Sequence, residues 1–113
     1  MDILELKREF QTFKDKMLGI KQTLKLEERE KTVKELEEKT TQEGFWNDKK
    51  ESQSVIKKIN ENKDLINEYK NIENMYHDEE VLIEFVDMGE EDFVGELEEK
   101  HKKLMLELDT LDV

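Results

Sequence analysis

Apolar residues near the start of the chain fall at Ile3, Leu6, Phe10, Phe13, Met17, Ile20 and Leu24. The intervals alternate three and four, which is the a/d seam of a heptad repeat, and lysines and glutamates fill the positions between. The seam predicts a first helix over about residues 2–21 and a turn across Gln22–Leu26. Gly19 sits inside this helix at a cost of ~1 kcal/mol relative to alanine. A second helix is predicted over about residues 27–42. Its apolar stripe is narrow, Val33 and Leu36 with Leu26 before them, so it must lean on neighbours. Glu27, Glu28 and Glu30 lie in its first turn, where the helix dipole favours anions.

The pattern breaks at Gly44-Phe45-Trp46-Asn47-Asp48. Gly44 suits a left-handed helix stop, and Asp48 with Glu51 three residues on reads as a variant of the capping box. Phe45 and the chain's single tryptophan, Trp46, are expected to plug the junction between helices, with Asn47 and Asp48 capping the next one. A buried Trp46 implies a loss of ~3–5 kcal/mol on truncation to alanine.

A third helix is predicted over about residues 49–87, with Val55, Ile56, Ile59, Leu65, Ile66, Tyr69, Ile72, Tyr76, Leu82, Phe85 and Met88 at roughly helical spacing. If continuous it measures ~58 Å. Asn60, Asn62, Asn71 and Asn74 are mediocre helix formers and leave a bend open. Met88-Gly89 ends it. A fourth helix is expected over about residues 90–113, with Phe93, Leu97, Leu104, Leu108 and Leu111 as its stripe. The short connection favours an antiparallel hairpin of the third and fourth helices. The expected fold is therefore all-α: an elongated four-helix bundle, read as one domain. Apolar residues still fall at helical spacing at Leu111 and Val113, so the chain is expected to be part of something longer.

Composition narrows the function classes. The chain has 113 residues, 44% of them charged, a net charge of −12, no proline and no cysteine. The absence of cysteine excludes a disulfide scaffold, an iron–sulfur site and a thiol nucleophile. No stretch approaches the ~20 apolar residues of a membrane span. No basic-then-apolar leader opens the chain, so no secretory signal is expected. The charge is uneven: about net +2 over residues 1–26, −3 over 27–77 and −11 over 78–113. Nonspecific nucleic-acid binding requires cations, so little direct RNA binding is expected.

Candidate chemistry is sparse. His77 and His101 are the only histidines, with no second histidine at i+3 or i+4, and are read as surface or packing residues rather than metal ligands. The acidic turn Asp87–Asp92 lacks the alternating oxygen ligands of a calcium loop and is read as helix capping and a solvated face. No phosphate-binding glycine motif occurs, and spacing builds no catalytic triad. No catalytic residue, cofactor, metal or small-molecule ligand is assigned, and the chain is expected not to be an enzyme. Glu90, Glu91 and Asp92, at the tip of the expected hairpin, are candidate contacts for a basic protein surface.

The run Leu24-Lys25-Leu26-Glu27-Glu28-Arg29-Glu30-Lys31-Thr32-Val33-Lys34-Glu35-Leu36-Glu37-Glu38, followed by Phe45-Trp46-Asn47-Asp48 and Ser52-Gln53, resembles the N-terminal helical domain of bacterial peptide chain release factor 2, in the class I release factor family. In that family a lysine- and glutamate-rich helix leads to an aromatic-Trp-Asn/Asp-acidic turn, and the paralogous release factor 1 lacks the turn. Glu43 and Lys49 stand where family members often carry proline. The resemblance covers essentially the whole chain. It implies a cytoplasmic role in translation termination at UGA and UAA codons. The implied partners are the ribosome, in the region of its stalk-base protein, and the GTPase that recycles release factors. The family's stop-codon-reading tripeptide and Gly-Gly-Gln loop belong to other domains, and no two glycines are adjacent here. The resemblance thus implies a positioning and partner-contact domain without decoding or hydrolysis. The alternative is a stand-alone coiled-coil adaptor or chaperone-like helical protein.

Overall fold

The structure, a computed structural model, describes residues 1–111. Val113, expected to continue the last apolar stripe, lies outside the described residues. Among those described the fold is all-α, with α1 (Ile3–Leu24), α2 (Leu26–Thr40), α3 (Lys49–Asp87) and α4 (Val94–Leu111). Single 3-10 turns at Phe45–Asn47 and Glu91–Phe93 precede α3 and α4.

The heptad seam of α1 is its inward face. Leu6, Phe10, Phe13, Met17 and Ile20 are buried, and Ile3 and Leu24 at its ends are half-buried. The helix runs through Gly19 and past residue 21, because stopping there would leave Leu24 off the seam. The expected five-residue turn shrinks to Lys25 alone, whose φ of 53° and ψ of 50° are left-handed. A lysine is rare in that region. Arg29 offsets the cost: its Nε donates to the Leu24 carbonyl at 2.7 Å and its Nη1 to Asn62 Oδ1 at 3.0 Å. One guanidinium thus closes the end of α1 and ties the turn to α3. Asn62, a poor helix former by itself, has a specific task here, and α3 is continuous over 39 residues.

α2 stops at Thr40, two residues before the expected end. The hydroxyls of Thr40 and Thr41 donate to the carbonyls of Glu37 and Glu38 at 2.6 and 2.7 Å. The Thr41 and Gln42 amides reach the carbonyls three residues back, and this tightened turn does not continue as α-helix.

α3 ends in a Schellman motif. The Glu90 amide donates to the Phe85 carbonyl and the Gly89 amide to that of Val86, both at 3.0 Å. Gly89 takes the required positive φ, 94°. The Phe93 ring turns back to Phe85 at 5.3 Å and packs on the Leu6–Leu82–Leu97 cluster. Glu90–Phe93 is therefore a connecting turn, and α4 begins at Val94, later than the apolar pattern places it.

The helices group into two compact units. One comprises Met1–Thr23 and the chain from Lys70 onward. There α1, the second half of α3 and α4 share a core of Leu6, Phe13, Ile72, Leu97, Leu104 and Leu108. The partners Asp78–Lys100, Glu79–His101 and Phe85–Phe93 set α3 and α4 antiparallel in this unit. The other unit, Leu24–Tyr69, is a hairpin of α2 and the first half of α3. Its core is smaller: Leu26, Val33, Val55, Ile59, Ile66 and Tyr69.

Candidate interaction surfaces and a buried ionic array

Gly44, at φ 82°, turns the chain out of α2 and into the 3-10 turn Phe45–Asn47. Asp48 Oδ1 then accepts the Glu51 amide at 3.1 Å, which caps α3. Glu51 does not return the bond of a full capping box. Its carboxylate pairs instead with Lys39 at 2.9 Å, joining the last turn of α2 to the first turn of α3 across their connection.

Trp46 corrects the expectation drawn from the sequence. It is 64% exposed, not buried. A 3-10 turn has three residues per turn, so adjacent side chains point about 120° apart. Phe45 takes the inward direction and is half-buried, which leaves Trp46 outside, edge-to-face on Phe45 at 4.9 Å. The indole borders a shallow groove of about 520 Å³ whose other walls include Gln53, Ile56, Lys57 and Asn60 of α3. Trp46→Ala is accordingly expected to lower the unfolding free energy by less than about 1 kcal/mol, in the range of surface substitutions. Urea unfolding followed by far-UV circular dichroism checks this.

Glu90, Glu91 and Asp92 are all exposed at the α3–α4 turn. Met88 beside them is 72% exposed. No lysine or arginine occurs between Lys70 and Lys100, and the cations at this end come from α1 and the N-terminus, Lys7 on Asp87 at 2.8 Å and the Met1 ammonium near Glu98 at 3.4 Å.

The two histidines differ sharply. His77 lies on the surface, 3.8 Å from Glu80. His101 is fully buried, and both its ring nitrogens meet carboxylates. Nδ1 lies 2.6 Å from Glu79 Oε2, and Nε2 lies 2.7 Å from Glu9 Oε1. Glu9 comes from α1, Glu79 from α3 and His101 from α4. Phe13 stacks on the imidazole at 5.0 Å. Glu79 is itself fully buried, and its Oε1 has no hydrogen-bond partner. Burial raises the Glu79 carboxyl above its ordinary value, the bond to and charge of His101 oppose that shift, and Glu9 adds to it. Tyr76, one turn earlier, is also raised, first by burial and then by Glu80 and Glu79.

Glu79, one of three consecutive acidic residues, carries no motif in the sequence, and its only signal there is helical phase. Glu79 lies seven residues after Ile72 and three before Leu82, on the inward face. His101 fills the gap between Leu97 and Leu104 in the stripe of α4. Among the described residues no group of three or more His, Asp or Glu side chains is placed to hold a metal ion. None of their helices is long and apolar enough to cross a membrane.

The sequence profile of the PCRF domain matches residues 29–112. The chain belongs to the PCRF-domain family. Relatives of this PCRF chain include a peptide chain release factor 2 of Staphylococcus epidermidis, 30% identical over an alignment covering 100% of the chain and 31% of that protein. Another, from Clostridium perfringens, is 32% identical over 98% of the chain and 31% of its own length. A third, from Staphylococcus saprophyticus, is 28% identical over 95% of the chain and 32% of its own length. The PCRF chain thus spans about a third of the release factors it matches. No solved structure matches it.

Proposed function

We propose that this chain is the helical domain of a translation termination factor of the release factor 2 type and serves in the cytoplasm to position the factor and contact its partners. The observation that carries the reading is the PCRF match over residues 29–112, joined by release factor 2 alignments that span the chain from end to end. The proposed partners are the ribosome, in its stalk-base protein region, and the release-factor-recycling GTPase. The whole factor would act at UGA and UAA codons. In this reading the domain neither decodes nor hydrolyses: the codon-reading tripeptide and the Gly-Gly-Gln loop belong to the factor's other domains, and no two glycines are adjacent here.

Two surfaces suit protein contact. Exposed Trp46 has the large amphipathic side chain enriched at binding hot spots. Glu90, Glu91 and Asp92 suit a basic protein surface and repel phosphate, so protein contact is favoured over RNA.

The test is a reconstituted termination reaction with ribosomes paused at a stop codon. The chain alone is expected to release no peptide above buffer, yet to pellet with the ribosomes. Trp46→Ala, or charge reversal at Glu90, Glu91 and Asp92, is expected to weaken pelleting. Release by the chain alone would overturn the non-catalytic reading. Failure to associate with ribosomes or with the recycling GTPase would favour the adaptor reading. Unchanged pelleting of a variant would eliminate its surface as a contact.

A further inference from the structure

We propose that the Glu9–His101–Glu79 array is a proton-dependent clasp that fastens α1, α3 and α4 of the three-helix unit and loosens as pH rises. The geometry requires protons. Contacts of 2.6 and 2.7 Å between a ring nitrogen and a carboxylate oxygen are hydrogen bonds only if a proton lies in each. Two protons are therefore shared among three side chains, one from each helix. Loss of the proton at Nδ1 leaves a nitrogen lone pair facing carboxylate oxygen where both His101 and Glu79 are fully buried, whereas at Nε2 half-exposed Glu9 can turn to solvent.

The charge balance gives the direction. With two protons the array is net −1. A third proton has a place to go: Glu79 Oε1, buried without a partner, whose protonation makes the array neutral. A proton lost from the Glu79–His101 side as pH rises adds uncompensated negative charge to a buried site, and that costs stability.

Among the described residues no lysine or arginine forms an ion pair with Glu9 or Glu79. The groups facing His101 are Glu9 from α1 and Glu79 from α3, both acidic. Tyr76 on α3 adds no positive charge. Lys100, beside His101 on α4, turns to Asp78 at 3.6 Å, and Lys16 on α1 lies over the Phe13 ring.

The raised Glu79 carboxyl agrees in sign. A carboxyl that binds its proton more tightly folded than unfolded contributes stability that is fully present below the unfolded value. That stability is lost as pH rises through the folded value.

The experiment is urea unfolding of the chain at intervals between about pH 4 and 9, with Glu79→Gln compared against Glu80→Gln. Glu80 carries the same charge one residue away but is exposed, so it controls for repulsion among the 31 acidic residues. The parent chain is expected to lose stability with rising pH, by up to about tenfold in the unfolding constant per pH unit where one proton is released. Glu79→Gln is expected to flatten this dependence and Glu80→Gln to keep it. Superimposable dependences for all three chains would overturn the proposal. Should Glu79→Gln fail to fold, carboxyl NMR titration of the parent chain decides. The Glu79 carboxyl is expected to titrate above its ordinary value. Titration at or below the ordinary value would overturn the proposal.

Discussion

Phe13→Ala is expected to lower the unfolding free energy by about 3–5 kcal/mol, the range for large aromatics removed from cores. The side chain is 1% exposed at the middle of the α1 seam. It packs edge-to-face on Phe10 at 6.0 Å and stacks on the His101 ring at 5.0 Å. Truncation removes apolar contacts and opens a cavity against the ionic array, so relaxation around the gap is limited by groups that need their partners. Leu18→Ala on the same helix is the contrast. Leu18 is 54% exposed, and its loss is expected to change stability by no more than about 0.5 kcal/mol. Urea unfolding monitored by far-UV circular dichroism measures both. A Phe13→Ala loss near that of Leu18→Ala would mean that the heptad seam is not the core of this unit.

That contrast also marks what the amino-acid pattern reveals. The three-four spacing from Ile3 to Leu24 assigns Phe13 inward and Leu18 outward, because one face of a helix must be dry and the other wet. Gly89 is legible for a similar reason: few residues besides glycine accept the left-handed conformation that a Schellman stop requires. Trp46 defeats the same reasoning. Hydrophobicity says that an aromatic pair belongs inside, but a single 3-10 turn has only one inward position and Phe45 occupies it. Which of the two wins is set by the turn's geometry, not by composition.

Glu79 fails for a different reason. Taken alone, a carboxylate among Asp78, Glu79 and Glu80 reads as solvated, and its burial makes sense only with His101, 22 residues later, and Glu9, near the start. Neither partner announces the other in sequence. Lys25 is likewise opaque, since a left-handed lysine is held by Arg29 and Asn62, which come together only in the folded hairpin.

His101→Ala is expected to be as damaging as loss of Phe13, at about 3–5 kcal/mol near neutral pH, because it removes one side of a buried ionic arrangement and strands the other. Glu79 would then keep a carboxylate with no access to water and neither oxygen bonded, while half-exposed Glu9 can turn to solvent. Glu79 can escape only by taking up a proton. The loss is therefore expected to shrink as pH falls toward the carboxylate range, where the stranded group becomes neutral. The double variant Glu79→Leu with His101→Leu separates stranding from simple loss of contacts. Replacing a whole buried ion pair by apolar side chains of similar volume is often neutral or stabilising. The double variant is expected to regain most of the loss and to show a flatter pH dependence than the parent. Urea unfolding of the parent, single and double variants at acidic and neutral pH provides the measurement. If the double variant is less stable than His101→Ala at neutral pH, the array stabilises the unit by its bonds rather than merely tolerating its own burial. The penalty assigned here to a stranded Glu79 would then be wrong.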